Sequence, residues 1–177
     1  MTRLGTLLMA FVLAACASSP APKALPSLEL QVGMLKERLF VLVEAERHRL
    51  NEHAKPLILD PELMLAAQTH SEDMARKRSF DVGNPNGNLA VNSLLADPKF
   101  RGFVGENSAA QYFTPAAGFD PDTYARGFLD IWLKSPDHRT NLMYEAFDKT
   151  GIGIAVNGDA IYAAELFATD LGLPEPQ

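Results

Sequence analysis

Residues 132–142 read WLKSPDHRTNL, and this stretch joins two predicted helices. Ser135-Pro136 lies in its middle, where serine is a favoured N-cap and proline fits the first helical turn. His138 then falls near the third position of a short helix, close to the positive end of the helix dipole. Two interpretations fit this histidine: a neutral side chain that bonds locally, and a side chain that faces a cleft.

The helix before this stretch is predicted to begin at Asp120-Pro121, which supplies a second N-cap signal. Phe119 and Tyr124 stand at the two positions of a hydrophobic staple. Apolar residues then recur at helical spacing, which predicts a buried stripe. The stripe consists of Tyr124, Phe128, Ile131 and Trp132.

Two apolar segments after the stretch, 151–156 and 160–167, predict strands. Between them lies Asn157-Gly158-Asp159, and an Asn-Gly pair between apolar runs is a strong hairpin signal. A strand is also predicted over 104–113. Within the hairpin, Glu165 and Tyr162 alternate with apolar residues, and Glu165 is a candidate to face a cleft.

The first half of the chain is predicted to be helical. Apolar spacing predicts a long helix over 28–53, and Asp60-Pro61 begins a second helix that ends near 76–78, with a short helix at 88–96. One face of the second helix carries Leu63, Ala67, His70 and Met74, so His70 is expected to be a core histidine. The element order predicts an α+β fold in which helices cover a sheet.

Three motifs in fixed order carry a family resemblance. They are residues 59–74 (LDPELMLAAQTHSEDM), residues 105–109 (GENSA), and residues 132–142 with the strand 151–155 after them. Together they resemble the CAP superfamily, named for cysteine-rich secretory proteins, antigen 5 and pathogenesis-related proteins. The resemblance covers roughly residues 32–169 and is to the bacterial branch, which has no disulfides.

This resemblance implies an α-β-α sandwich with a central cleft. Many relatives place two histidines and two acidic residues there, where they can hold a divalent metal. Glu106 and His138 match two of these positions, whereas Val82 and Ser135 replace the other histidine and acidic residue. The candidate cleft residues are therefore Glu106, His138, Asn107, Ser135 and Val82.

These replacements weaken the implied metal site. Durable zinc sites use three or four protein ligands, and Glu106 with His138 supplies two. We therefore expect no tightly bound metal or other cofactor, although a weak site completed by water stays open. Glu106 has a scaffold interpretation as well, in which it fixes its own loop. Arg139 and Asn141 are expected to brace the fold.

Leu13-Ala14-Ala15-Cys16 resembles the lipobox of bacterial lipoproteins. One positive charge and a short apolar run precede Cys16, the only cysteine of the chain, as in a cleaved export signal. The alternative is an ordinary signal peptide with a cysteine near its end. The predicted organisation is a lipoprotein signal peptide (1–15), an acylated Cys16 with a Pro-rich tether (16–27), and a CAP domain (28–177).

The formal net charge of −6 restricts the partners. Nucleic acid is not expected, because its binding depends on neutralisation of phosphates by Lys and Arg. An acidic surface likewise does not dock electrostatically on anionic lipid, so the acyl chains on Cys16 would hold the bilayer. The expected location is the exported face of a bacterial membrane.

Three functions remain open from the sequence. The first is a non-catalytic module that binds a small apolar ligand such as a lipid, a glycan or an envelope protein in its cleft. The second is a metal-assisted hydrolase or peptidase that uses Glu106 and His138 as general bases. The third is a structural or adhesive surface domain. The chain has neither a Gly-x-Ser-x-Gly elbow nor a His-Glu-x-x-His motif, which leads us to expect no catalysis.

Overall fold

The computed structural model describes residues 26–79 and 102–169, and it confirms the predicted α+β class. Cys16, Val82 and the helix predicted at 88–96 lie outside these residues. The described elements follow the chain in the order α1 (Leu28–Leu50), β1 (Ile58–Leu59), α2 (Pro61–Lys77), β2 (Val104–Tyr112), a 3₁₀ turn (Pro115–Ala117), α3 (Pro121–Lys134), α4 (Pro136–Met143), β3 (Lys149–Asn157) and β4 (Ala160–Ala168).

A four-stranded sheet of order β1-β3-β4-β2 forms the middle layer. β3 and β4 form the predicted antiparallel hairpin, β2 pairs antiparallel with β4, and β1 is a short parallel addition to β3. Gly158 turns the hairpin with φ of 64° in the left-handed region, where glycine carries no steric penalty. The β2–β4 register sets Glu106 opposite Leu166, and Asn107 opposite Glu165.

Helices cover both faces of the sheet, as expected for an α-β-α sandwich. On one face, α1, α3 and α4 pack around Phe128, Trp132 and Phe167 in the larger apolar core. On the other face, α2 packs on β3 and β4 around Leu63, Ala67 and a set of strand alanines. Every residue of β4 is buried, because this strand lies inside the sheet and between both layers.

The predicted helix starts are confirmed at their caps. Oδ1 of Asp60 accepts from the backbone N–H groups of Glu62 and Leu63 at the start of α2. At the start of α3, the Phe119 and Tyr124 rings meet edge to face, with centroids 5.4 Å apart. α1 ends at Leu50 rather than at residue 53.

The predicted stripe of α3 is wrong at one position. Ile131 is 36% exposed, whereas Leu129 is buried. The buried face of α3 consists of Ala125, Phe128, Leu129 and Trp132. This spacing centres the stripe one residue away from the position predicted, because α1 and the sheet both contact α3 from that side.

Two glycines of β3 let α2 approach the sheet unusually closely. A Cβ atom on Gly151 would overlap the backbone of Leu63 and Met64, and one on Gly153 would overlap the backbone of Ala67. Helix and strand backbones therefore touch with no side chain between them. This contact fixes the height of α2 above the sheet.

Candidate functional site

Glu106 and His70 form a direct contact between β2 and α2. The register of β2 turns Glu106 to the face of the sheet that α2 covers, because it shares that face with its cross-strand partner Leu166. Nε2 of His70 lies 2.9 Å from Oε1 of Glu106, and both side chains are at least nine-tenths buried. His70 is therefore buried, as expected, but the group that it contacts is the carboxylate of Glu106.

His138 approaches the same carboxylate from α4. The backbone nitrogen of His138 lies 3.5 Å from Oγ of Ser135, the residue that caps this helix. Burial lowers the pKa of His138 below its usual range, and the negative charges of Asp137 and Glu106 oppose that shift only in part. The imidazole is therefore neutral near pH 7 and has one donor and one acceptor nitrogen.

Two asparagines fasten α4 to β2. Nδ2 of Asn141 donates to the backbone oxygen of Glu106 and to Oδ1 of Asn107, both at 2.9 Å. Nδ2 of Asn107 donates in turn to the backbone oxygen of His138 at 3.1 Å. The pair fixes the position of Glu106 relative to His138. Asn141 thus braces the fold as predicted, and Asn107 is fully buried in the same network.

We name His70, Glu106 and His138 the polar row. Each of the three side chains has one shielded polar atom with no hydrogen-bond partner among the described residues. These atoms are Nδ1 of His70, Oε2 of Glu106 and Nδ1 of His138. A buried polar atom that stays unpaired destabilises a protein by about 1–3 kcal/mol, so such a group is commonly satisfied by a bound molecule or water.

A second carboxylate lies near the α2 end of the row. A hydrogen bond from Lys77 holds the pKa of Asp73 below its usual range, and the charges of Arg76 and His70 act in the same direction. Nζ of Lys77 is 2.5 Å from Oδ2 of Asp73, and Arg76 also contacts this carboxylate. Both cations are therefore engaged by Asp73.

Glu165 does not face the cleft. Its cross-strand partner on β2 is Asn107, so its side chain lies on the sheet face opposite to Glu106. It is fully buried there beside Thr150, with Oγ1 of Thr150 lying 3.0 Å from its Oε1. Glu165 therefore belongs to the core between the sheet and α1. Alternation alone could not predict which face it occupies.

The other sequence candidates have distinct places. Ser135 caps α4 and is tied to it through the His138 N–H, and Arg139 is exposed on the same helix. His48 and His53 are exposed, as expected for the end of α1. Of the five candidate cleft residues, Glu106 and His138 belong to one site, whereas the Asn107 side chain lies on the opposite face of β2 and bonds the backbone of His138. Sequence reasoning missed the contact of His70 with Glu106, which depends on how α2 crosses β2.

The described residues do not fit a metal ion. Across residues 26–79 and 102–169, no group of three or more His, Cys, Asp or Glu side chains has the geometry to hold one. Oε1 of Glu106 is engaged by His70, and His138 adds one imidazole. The polar row has three side chains of ligating type, but they are not arranged around one point as the ligands of a zinc site are. We therefore derive no step through a metal.

Comparison with known proteins decides the family. The model of the cysteine-rich secretory protein (CAP) family matches residues 46–169, which is more than half of the chain. The chain belongs to the CAP family. This match includes all three members of the polar row. No curated protein sequence matches the chain.

Solved structures share the CAP fold at low sequence identity. An outer surface protein of Borrelia burgdorferi has a TM-score of 0.56 at 18% identity, over 77% of this chain and 92% of its own. An extracellular protein of Bacillus anthracis with an SCP domain has a TM-score of 0.57 at 24% identity, over 84% of this chain and 45% of its own. A cysteine-rich secretory protein of Staphylococcus aureus has a TM-score of 0.50 at 19% identity, over 79% and 40%. None of the helices in the described parts of this CAP chain is long and apolar enough to cross a membrane.

Proposed function

We propose that this CAP protein is a lipid-anchored component of a bacterial envelope that binds a ligand in its cleft and does not catalyse a reaction. The observation that carries the binding role is the polar row. Two side chains that are at least nine-tenths buried, His70 and Glu106, are in contact, His138 of α4 is half-buried, and each of the three has an unpaired polar atom among the described residues. If the polar row served only to hold the fold together, pairing these atoms within the protein would make the fold more stable.

The anchoring part of the proposal rests on Cys16. An acylated cysteine followed by the tether over 16–27 would hold the domain near the bilayer, and two or more acyl chains give durable anchoring. The similar proteins from Borrelia and Bacillus are described as an outer surface protein and an extracellular protein. An exported location for this chain agrees with both descriptions.

The proposal that the protein does not catalyse a reaction rests on the side chains around the polar row. Both amide donors of Asn141 are engaged, and Asn107 is fully buried with its amide bonded to His138 O, so neither is available to a developing oxyanion. Ser135 is committed to the cap of α4. Among the described residues near the row, we find no nucleophile paired with a base.

Native mass spectrometry of the protein purified from its own envelope tests binding. We expect a bound molecule in the wild type that is lost or strongly reduced in Glu106→Gln. Glu52→Gln is the matched control, because Glu52 is exposed just beyond the C-terminal end of α1 and its substitution should leave occupancy unchanged. A folded wild type with no bound molecule would contradict the binding role.

Fractionation and the mass of the mature N-terminus test the anchor. Wild-type protein should be found in membranes with an acylated N-terminal cysteine, and Cys16→Ser should be released or left unprocessed. A mature protein that begins elsewhere and is soluble without the substitution would instead favour the ordinary signal peptide.

One observation favours a hydrolase as the second candidate. His138 is kept neutral near a carboxylate, which is the protonation state a general base needs. Assays on casein and on peptidoglycan distinguish the candidates. Hydrolysis that is abolished by both His138→Ala and Glu106→Ala would replace the binding role with catalysis. A normal cellular phenotype in the folded double variant would favour a structural or adhesive role.

A further inference from the structure

We propose that the polar row binds a neutral polyhydroxylated ligand of the saccharide class, and that His70 is one of its binding residues. This inference rests on the proposed binding function and names the class of its ligand. It also gives a role to a histidine outside the two matched family positions. α2 brings His70 to the same carboxylate that His138 approaches from α4, while the family's other histidine position is Val82 in this chain.

The unpaired atoms of the row are two imidazole nitrogens and one carboxylate oxygen. Nε2 of His70 lies against Oε1 of Glu106, so Nδ1 is the ring nitrogen left for a ligand. Oε2 of an ionised Glu106 only accepts. Neutral His138 contributes one more acceptor nitrogen. Unpaired polar atoms that share one site are satisfied by a ligand with several neighbouring hydroxyl groups, because each hydroxyl can donate and accept a hydrogen bond.

The charges of the site disfavour an acidic headgroup. Glu106 and Asp73 both lie close to His70, and the cations Arg76 and Lys77 are engaged with Asp73. Burial holds His138 neutral, so it adds no positive charge. A fatty-acid carboxylate or a phosphate would meet the carboxylate of Glu106, and both Arg76 and Lys77 are already engaged by Asp73. Burying an ammonium group would also carry a large desolvation penalty beside a carboxylate already bonded to His70.

Titration of the full-length protein with an N-acetylglucosamine tetramer tests this inference. We expect saturable binding, which His70→Leu should weaken about tenfold because one charge-assisted contact and one acceptor are lost. His70→Gln keeps an amide donor toward Glu106 and should retain more affinity than His70→Leu. His48→Gln is the matched control, because His48 is exposed on α1 and should bind like the wild type.

NMR of the His70 ring nitrogens provides a second measurement. If His70 only stabilised the fold, its ring signals would not change when ligand is added. Long-range ¹H–¹⁵N spectra should show a shift of its Nδ1 resonance when the saccharide is added, and none when laurate is added. Laurate binding with no saccharide binding would overturn the inference, as would binding of a simple amine alone or equal saccharide affinity in His70→Leu. If envelope-purified protein still carries another molecule that Glu106→Gln removes, the inference fails but the binding function stands.

Discussion

The side-chain amide of Asn141 donates to the backbone oxygen of Glu106 at 2.9 Å, and so ties helix α4 to strand β2 beneath the polar row. The same Nδ2 donates to Oδ1 of Asn107. His138 and Glu106 therefore owe their relative position to a residue that carries no charge. The short helix α4 therefore holds His138 in a fixed position relative to β2.

Asn141→Ala should destabilise the protein by about 1–3 kcal/mol, because it leaves the Glu106 carbonyl and Oδ1 of Asn107 unpaired in a mostly buried place. Urea unfolding followed by circular dichroism measures the change. Asn51→Ala removes a bond from an exposed asparagine amide to Met143 and should have a smaller effect. Equal losses in the two variants would argue against a special role for Asn141.

Gly153→Ala should be among the most destabilising single-methyl additions in the chain. Its Cβ would overlap the carbonyl of Ala67, so α2 must move, and overpacking of this kind costs about 1–3 kcal/mol or more. Gly33→Ala is the matched control, because no atom lies near its Cβ position on α1. That change should stabilise by about 0.5–1 kcal/mol through helix propensity. Thermal melts of both variants would show opposite shifts.

Arg47→Met should destabilise by about 3–5 kcal/mol, because several buried backbone oxygens lose their donor and each unpaired one costs about 1–3 kcal/mol. The guanidinium is fully buried and donates to backbone oxygens that close the α4–β3 connection. Its acceptors are Asn141, Leu142, Tyr144, Lys55 and Phe147.

Arg49→Met provides the comparison for Arg47. Arg49 pairs with Glu46 one turn away on the exposed side of α1, and ion pairs in solvent contribute little to stability. Chemical denaturation of both variants measures the two losses. Similar losses would show that the backbone oxygens find other donors when Arg47 is removed.

Glu165→Gln should change how stability depends on pH. Burial raises the pKa of Glu165 from 4.5 to about 8, against a hydrogen bond from Thr150 and the charge of Arg47 that act to lower it. The folded state therefore holds an extra proton between these values, and stability falls as pH rises through that window. The slope is at most about 1.4 kcal/mol per pH unit. Above pH 8 the loss is complete.

Unfolding free energies of the wild type and Glu165→Gln between pH 5 and 9 measure this effect. The wild type should lose stability relative to the variant up to about pH 8, the pKa of Glu165, and then run parallel to it. Oγ1 of Thr150 lies within reach of both Leu166 O and Glu165 Oε1, and one hydroxyl proton cannot serve both acceptors. A neutral Glu165 relieves this conflict by donating. Parallel curves throughout would show that Glu165 is ionised in the core.

Local signals predicted the helix starts well. Asp60, Asp120 and Ser135 each cap a helix where the sequence indicated, because an N-cap depends on residues within one turn. The β3–β4 hairpin was also predicted correctly, because its turn signal lies within a few neighbouring residues. β1 was not predicted, because two residues carry no periodicity and their pairing with β3 is set by the folded chain.

The candidate site was only partly predictable, for a related reason. Family motifs indicated Glu106 and His138, whereas His70 shares a helix face with core residues and looks apolar in context. Its contact with Glu106 follows from the crossing of α2 over β2, which no local pattern encodes. Glu165 was assigned to the wrong face because a fully buried strand such as β4 has no polar side to orient it.

The contact of Gly153 with α2 has a consequence for how this cleft can diversify. His70 follows Ala67 by three residues along α2, so the backbone contact at Ala67 also sets how far His70 reaches over the sheet. No compressible side chain separates the two layers there. Substitutions within the polar row can therefore change its chemistry while backbone contact keeps the spacing between α2 and the sheet.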